Sequence, residues 1–178
     1  MPAPICCGRD ARLTDGTEIY PHRAEPAIAD KPMWVCDDCG AYVGCHPTTT
    51  VALGTLAGPE LRRLRRRVHL VIDPIWRAAH RIAPYANAPR KAREGIQRRA
   101  RQRVYEFLAD RLGIPCAECH VAMFDAARCG AAVKAMQHVD YYRVRAWARD
   151  REAAARAAAE RNATPALSTR TAEEVAPC

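Results

Sequence analysis

The pattern of apolar and polar positions changes near Pro59. Before this residue, short apolar runs such as Trp34-Val35 and Ala41-Tyr42-Val43 alternate with turn residues, which is typical of short β-strands. After it, apolar residues recur every three or four positions, which is typical of amphipathic helices. The sequence therefore predicts an α+β fold, with a small β module at the N-terminus and an α-helical domain behind it.

The first predicted helix begins at Gly58 and Pro59, a common start signal. Asp73-Pro74 predicts its end and the start of a second helix, because proline is disfavoured inside a helix but suits the first position after an aspartate cap. The inner face of these two helices is predicted to contain Leu61, Leu64, Val68, Ile72, Ile75, Trp76, Ala79 and Ile82.

Two further helices follow a proline-containing loop over residues 82–89. One runs from about Pro89 to Leu112, with Gly113 as its stop signal. The other begins after Asp125, whose side chain is suited to capping the first turn. The predicted buried positions are Ile96, Ala100, Val104, Leu108 and Leu112 in the former, and Ala126, Cys129, Val133 and Met136 in the latter.

The chain is predicted to have four parts. Residues 1–57 form the β module and residues 58–142 a basic helical domain. Residues 143–161 are rich in Ala, Arg and Glu and have high helix propensity. Residues 162–178 contain Thr, Ser, Pro and Glu with few bulky apolar residues, so we expect a disordered C-terminal tail.

Composition indicates a small core and reduced thiols. Aromatic residues make up only 6% of the chain, and small cores commonly need a staple such as a metal. The N-terminus lacks the features of an export signal, and no run of about 18 apolar residues is present. We therefore expect a cytoplasmic protein without membrane contact, in which the nine cysteines serve as metal ligands or buried residues more often than as disulfides.

The strongest chemical motif is Cys36-Asp37-Asp38-Cys39-Gly40. Two cysteines separated by two residues and followed by glycine form a knuckle that supplies half of a tetrahedral zinc site. Cys7-Gly8 is similar to the second half, although position 4 holds Pro4 where a standard knuckle would have cysteine. The β module is therefore predicted to be zinc-ribbon-like and to bind one structural Zn²⁺.

The fourth zinc ligand is left open by the sequence. Cys6 is the first candidate, but neighbouring residues normally point their side chains apart, so its use with Cys7 requires an unusual backbone conformation. Cys45, His46 and His22 are the rivals, since each has a side chain that can coordinate zinc.

Several segments together resemble a family of small phage and prophage zinc-finger-containing proteins of unknown function. These are CCGRDARLTDGTEIYPHR, KPMWVCDDCGAYVGCHP, LGTLAGPELRRLRRRVHLVIDPIW, RVYEFLADRLGI and ECHVAMFD, within residues 5–137. The resemblance implies zinc, a phage-related role and contact with nucleic acid, but no established activity. The family pattern usually begins with a CxxC pair, from which Pro4 departs.

Positive charge is concentrated in the middle of the chain. Residues 60–103 contain fourteen Arg or Lys and three acids, a net charge of +11, whereas the whole chain carries +8. Such asymmetry is typical of a surface that binds a polyanion, and like charges four residues apart would be relieved by phosphate contacts. The predicted DNA- or RNA-contacting residues are Arg62, Arg63, Arg65, Arg66, Arg67, Arg98, Arg99 and Arg101. The alternative interpretation is a merely solvated helix face.

A second cysteine motif, Cys116-Ala117-Glu118-Cys119-His120, matches the attachment sequence of c-type haem. Haem attachment follows export in bacteria, and no export signal is present. A second metal site that adds Cys129 is more credible. The simplest interpretation is that Cys119 and Cys129 pack in the core.

Two other functions remain open beside nucleic-acid binding. A metal-dependent nuclease would use His46 or His69 to activate water, but the paired carboxylates and clustered histidines common in such enzymes are missing from the sequence. A protein-protein adaptor would present Trp34 and Tyr42 to a protein partner. We therefore predict a binding protein, and infer no catalysis.

Overall fold

The computed structural model describes residues 2–23 and 25–163. Its N-terminal part contains short strands and two one-turn helices. In chain order these are β1 (Ile5–Cys6), β2 (Arg9–Asp10), β3 (Arg12–Thr14), α1 (Gly16–Ile19), α2 (Pro26–Ala29), β4 (Met33–Val35) and β5 (Tyr42–Gly44). The first two strands form an antiparallel hairpin, and the other three form an antiparallel sheet in the order β3-β4-β5.

Alternation along β4 and β5 explains why this small sheet forms. Met33, Val35 and Val43 are buried, whereas their neighbours Trp34 and Tyr42 are only half-buried, as expected when successive side chains point to opposite faces. The indole N–H of Trp34 donates to the carbonyl oxygen of Thr50 at 2.8 Å. The strands predicted around Trp34 and Tyr42 are therefore present.

Helices dominate the described chain from Pro59 onward. The long ones are α3 (Pro59–Arg77), α4 (Arg93–Leu112), α5 (Ala126–Met136) and α6 (Tyr141–Ala163). Single 3₁₀ turns lie at Ala79–Arg81, Ala83–Tyr85, Arg90–Ala92, Cys116–Glu118 and Val121–Met123. Strands at the N-terminus followed by helices confirm the predicted α+β class.

The predicted helix break at Asp73-Pro74 is wrong, because α3 continues through both residues to Arg77. Pro74 is exposed and its carbonyl still accepts from the N–H of Ala78 at 3.0 Å. An interior proline costs about 3 kcal/mol, but the opposite face of the helix is anchored by the buried side chains of Ile72 and Ile75. Packing on both sides of Pro74 therefore outweighs the local preference.

The helical core follows the predicted periodicity closely. The side chains of Val68, Ile72, Val104 and Leu108 have no exposed surface. Most other predicted positions are buried in this core or packed against it, but Ala126 is exposed.

The predicted helix ends are also present. The left-handed residue Gly113, with φ +64°, ends α4. The side chain of Asp125 accepts from the N–H of Arg128 at 2.7 Å and so caps α5.

The segment between β5 and α3 packs against the turn that precedes α5. The N–H of Thr55 donates to the carbonyl oxygen of Ala122 at 3.0 Å. A Cβ atom added at Gly54 would lie only 2.2 Å from that same oxygen, so this close approach requires glycine. We call the contact of residues 54–57 with residues 121–124 the junction.

Helix α6 is longer at both ends than the predicted span of residues 143–161. Its buried positions are Tyr141, Val144 and Ala148, and the described side chains beyond Ala148 are exposed or only partly buried. The disordered tail predicted for residues 162–178 lies, from residue 164 onward, outside the described residues. Within the described chain, no helix has the length and apolar character needed to cross a membrane.

Candidate metal centre and basic surface

The first half of the metal centre is the turn of the β1-β2 hairpin. Cys6 pairs with Arg9, which leaves Cys7 and Gly8 as the two central residues of the turn. Both have positive φ, +51° and +76°, as a type I′ hairpin turn requires. This left-handed conformation is uncommon for a residue other than glycine. It is the unusual backbone that the use of adjacent cysteines demands.

Pro4 has a structural position at the other end of this hairpin, where its carbonyl accepts from the N–H of Ala11 at 2.8 Å. The first half of the site is thus a hairpin turn with two adjacent cysteines, not a CxxC knuckle. The sequence signal for it was the glycine after Cys7, because glycine is favoured at the second central position of such turns.

The second half is the knuckle between β4 and β5. The N–H of Gly40 donates to the carbonyl oxygen of Cys36, and the N–H of Cys36 donates to that of Ala41, both at 2.8 Å. Gly40 has φ +67°, so the chain reverses within five residues and brings Cys39 back towards Cys36. The tight turn follows directly from the position of glycine after the second cysteine.

The two halves bring four thiols together. The Sγ atoms of Cys6, Cys7, Cys36 and Cys39 all lie within 4.8 Å of one another. Cys6 Sγ lies 3.6 Å from Cys39 Sγ and 4.0 Å from Cys7 Sγ. A tetrahedral zinc ion with Zn–S bonds of 2.3 Å requires S···S separations of about 3.8 Å. The cluster therefore fits zinc in both donor type and spacing.

Electrostatics within the cluster also favour a cation. Hydrogen bonding from the backbone N–H of Ala41, followed by the neighbouring thiols, lowers the pKa of Cys39 to about 7. Burial, followed by the neighbouring thiols, raises the pKa of Cys6 to about 12. The neighbouring thiols thus favour one thiolate and oppose the ionisation of the next, whereas coordination of zinc by all four cysteines requires four thiolates. A divalent cation would supply the positive charge that lets all four lose their protons.

Two arginines form ion pairs with the knuckle, and one of them, Arg9, joins it to the hairpin without metal. Arg12 on β3 donates to the knuckle residue Asp37, with Nη2 2.9 Å from Oδ1. Arg9 on β2 lies 3.6 Å from Asp38. Exposed pairs contribute little stability individually, and because Arg12 also pairs with Glu18 at 2.6 Å, the charges of both arginines are neutralised by carboxylates. These contacts were not anticipated from the sequence, since nothing in its spacing pairs residues 9 and 12 with the knuckle.

The rival ligands do not join this cluster. Cys45 is 1% exposed, and its N–H donates to the carbonyl oxygen of Pro32. His22 and His46 are exposed, and neither belongs to a group of three or more potential metal ligands among the residues that the structure describes. The four-cysteine cluster is the one such group found among the described residues.

The CxxCH segment is divided between surface and core. Cys116 and His120 are exposed, whereas Cys119 and Cys129 are 2% and 1% exposed and belong to the helical core. Burial raises the pKa of Cys119 to about 11, which keeps it a neutral thiol. In the described chain these residues form no group of three or more potential metal ligands.

Arg65 needs correction as a predicted nucleic-acid contact, because it is buried in the junction and is only 9% exposed. Its Nε and Nη1 atoms donate to the carbonyl oxygens of Phe124 and Thr55, both at 2.9 Å, and Nη2 donates to Thr55 Oγ1 at 2.6 Å. Desolvation lowers its pKa. All three nitrogens are therefore used within the protein.

Two more of the predicted arginines have partners. Arg62 is half-buried, donates to the carbonyl oxygen of Ala57 and lies over the Tyr42 ring at 3.9 Å. Arg63 is exposed and forms an ion pair with Glu60 one turn earlier. Arg62 therefore connects α3 to the β module, and the charge of Arg63 is neutralised by Glu60.

The remaining predicted arginines are exposed and lack anionic partners. Among the described residues no hydrogen bond or ion pair involves the side chains of Arg66, Arg67, Arg98 or Arg99. Arg101 packs over Tyr105, with the guanidinium carbon 5.5 Å from the ring centre. We call Arg66, Arg67, Arg98, Arg99 and Arg101 the unpaired arginines.

The two histidines considered for a nuclease lie in different elements, and the two aromatic residues considered for an adaptor are only partly exposed. His46 follows β5 at the surface, and His69 on α3 lies 3.4 Å from Asp73. Trp34 and Tyr42 lie on adjacent strands and are half-buried, with Tyr42 already covered by Arg62.

Comparison with known proteins gives one match. A family model described as a zinc-finger-containing domain matches residues 3–91, half of the 178-residue chain, and this span contains all four clustered cysteines and α3. No curated protein and no solved structure matches the chain. The family match and the four-thiol cluster agree, and the protein binds zinc.

Proposed function

Because the chain belongs to the zinc-finger-containing domain family, we propose that zinc orders its N-terminal part while the unpaired arginines bind the phosphates of a nucleic acid. The protein is then a nucleic-acid-binding zinc protein. A phage- or prophage-related role and a cytoplasmic site of action, where thiols stay reduced, belong to the same proposal.

The proposal assigns Cys6, Cys7, Cys36 and Cys39 as the four zinc ligands. Four thiolates complete a tetrahedral shell, and such closed sites are structural. Bound zinc would hold the hairpin turn of Cys7 against the knuckle, adding to the exposed Arg9–Asp38 ion pair between the same two segments. Its binding free energy would thus contribute directly to folding.

Metal analysis tests this ligand set. We expect one zinc per chain in the purified wild type and strongly reduced zinc in Cys6→Ser and Cys7→Ser. Cys116→Ser is the matched control, because it also removes an exposed thiol but lies outside the cluster. Cys45→Ser tests the rival ligand. Full zinc content at wild-type affinity in Cys6→Ser, together with loss in Cys45→Ser, would overturn the assignment.

The unpaired arginines are the observation that carries the nucleic-acid part. An exposed arginine without an acidic partner keeps its charge uncompensated and most of its donors available for phosphate oxygens. Arg66 and Arg67 lie on α3, whereas Arg98, Arg99 and Arg101 lie on α4. The side chain of Gln97 donates to the carbonyl oxygen of Arg77 at 2.9 Å, so the α4 arginines lie near the far end of α3.

The α3 arginines and the α4 arginines are therefore separated along the axis of α3. Arg77 lies ten positions after Arg67, which is about 15 Å along the helix axis. At about 3.4 Å per phosphate along one strand, this corresponds to about four phosphates. Backbone contacts of this kind carry no sequence preference.

Fluorescence polarisation with labelled single-stranded and duplex oligonucleotides tests the proposal. We expect affinity to fall steeply with salt, because each duplex phosphate neutralised contributes about −0.9 to the slope of log affinity against log salt concentration. Replacing Arg66, Arg67, Arg98 and Arg99 by Gln should weaken binding and reduce this slope.

A charge-matched control separates a local surface from net charge. Replacing Arg143, Arg149, Arg156 and Arg161 on α6 by Gln removes the same four charges elsewhere. Equal weakening by both quadruple variants would mean that the α3 and α4 positions have no special role. No binding by the zinc-loaded wild type at low salt would refute the function itself.

A further inference from the structure

A small cavity lies between α4 and the turn that follows it, outside the metal centre. Its volume is about 330 Å³, at the small end of the range for ligand sites. Its lining residues are Arg98, Arg101, Gln102, Tyr105, Cys116, Cys119 and His120. None of these seven lining residues carries a carboxylate.

The α4 side of the cavity is one continuous helix face. Arg98, Arg101, Gln102 and Tyr105 are spaced i, i+3, i+4 and i+7, which places them in one row. Arg101 is held over the ring of Tyr105 and hydrogen-bonds to the Tyr105 side chain, which orients the guanidinium and leaves its other donors available. Two cations therefore lie one turn apart on the same wall.

The opposite wall comes from the chain after α4. His120 is exposed, and its imidazole has no hydrogen-bond partner among the described residues. Burial raises the pKa of Tyr105, so its hydroxyl remains protonated at neutral pH. The cavity thus combines two arginines with an imidazole, donors that suit the oxygens of a phosphate group.

We propose that this cavity is a phosphate-binding site, in which Arg98 and Arg101 bind the phosphate oxygens and His120 donates from the opposite wall. The inference deepens the proposed function and rests on it for the source of the phosphate, a nucleotide of a bound strand. Its size accommodates one phosphate group and not a helical duplex. It would position a single nucleotide of that strand.

The neighbouring cavity on α4 lacks these properties. It is lined by Arg99, Arg103 and Tyr141 among others, but Arg103 already forms an ion pair with Glu152 at 2.9 Å. Only one unpaired cation remains there. Two unpaired arginines and a histidine therefore distinguish the cavity of Arg98, Arg101 and His120 from this neighbour.

Titration of the zinc-loaded full-length protein with inorganic phosphate tests the site without any nucleic acid. The His120 ring resonances are followed by NMR, with sodium chloride at equal ionic strength as the reference. We expect saturable shifts in the wild type and in Arg66→Gln/Arg67→Gln, which removes two exposed arginines outside the cavity. Arg98→Gln/Arg101→Gln should weaken phosphate binding at least about tenfold. Non-saturating shifts, or equal affinity in both variants, would overturn the inference.

An oligonucleotide titration of the same variants distinguishes the phosphate source. A larger loss of dT10 affinity in Arg98→Gln/Arg101→Gln than in Arg66→Gln/Arg67→Gln supports a strand-bound nucleotide. If the cavity variant loses inorganic phosphate but binds dT10 as the wild type does, the phosphate site stands and its use by nucleic acid is refuted. If dT10 does not bind at all while phosphate binds, the proposed function fails and the cavity assignment survives.

Discussion

Replacing Arg65 by methionine is expected to destabilise the protein strongly. Methionine keeps most of the length and apolar stem of the side chain but removes the guanidinium that donates to Phe124 O, Thr55 O and Thr55 Oγ1. These bonds hold the junction together. Their loss leaves two backbone carbonyls without donors in a position where Arg65 itself is only 9% exposed.

The magnitude follows from the number and type of bonds. A hydrogen bond from a charged donor contributes about 1.5–3 kcal/mol, and a buried group left without a partner costs about 1–3 kcal/mol. The three bonds share one side chain and are not additive, so we expect a loss of about 3 kcal/mol in the free energy of unfolding. For a chain of this length, that corresponds to a fall of about 6–12 °C in Tm.

Urea unfolding monitored by far-UV circular dichroism, with zinc in excess, measures this loss. Arg66→Met is the matched control, because the neighbouring arginine is exposed and makes no ion pair in the described chain, and such substitutions change stability by only about 0.5 kcal/mol. Arg65→Lys should fall between the two, since one ammonium cannot reproduce the forked guanidinium. Equal stabilities for Arg65→Met and Arg66→Met would refute the role assigned to the junction.

Two further predictions concern the zinc-bound part and the junction. Removing zinc with a strong chelator should abolish the ordered environment of Trp34 while most of the far-UV helical signal remains. The reason is that the residues of the helical core all lie at or after Leu61. An unchanged melting curve after verified zinc removal would contradict the structural role of the metal. Gly54→Ala should lower the free energy of unfolding in urea by about 2 kcal/mol or more, because its Cβ atom would lie 2.2 Å from the backbone oxygen of Ala122. The control is Gly95→Ala on α4, where an added Cβ atom meets open space. This substitution should leave the free energy of unfolding unchanged or raise it.

The helices were the most predictable part of the fold. Positions such as Val68 and Leu108 were predicted to be buried because helical periodicity places them on one face, and signals such as Gly113 and Asp125 correctly marked helix ends. The predicted break at Pro74 is wrong because the packing of Ile72 and Ile75 outweighs the local preference of proline against a helix interior. Local preference is decisive only where tertiary contacts do not oppose it.

The metal centre was predictable in composition but not in conformation. The CxxC knuckle and the family resemblance both indicated zinc. Whether Cys6 could join Cys7 depended on a positive φ at Cys7, which in turn depends on the pairing of β1 with β2. That pairing involves only two residues on each strand, too few to show alternation in a sequence. Whether two adjacent cysteines can both bind one metal ion therefore depends on the backbone conformation of the turn that contains them.

Arg65 shows how helix phase decides whether a charge is available to a ligand. At about 100° per residue, Arg65 lies within about 60° of Leu61, Val68 and Ile72 around the axis of α3, whereas Arg66 is rotated a further 100° towards solvent. The periodicity that identified the buried face therefore already included Arg65, although its residue type favoured the surface. A buried arginine needs acceptors, and the junction supplies backbone oxygens from two distant segments. Because the same rotation leaves Arg66 exposed, its positive charge is available to a phosphate. The guanidinium of the adjacent Arg65 is instead used in hydrogen bonds within the protein.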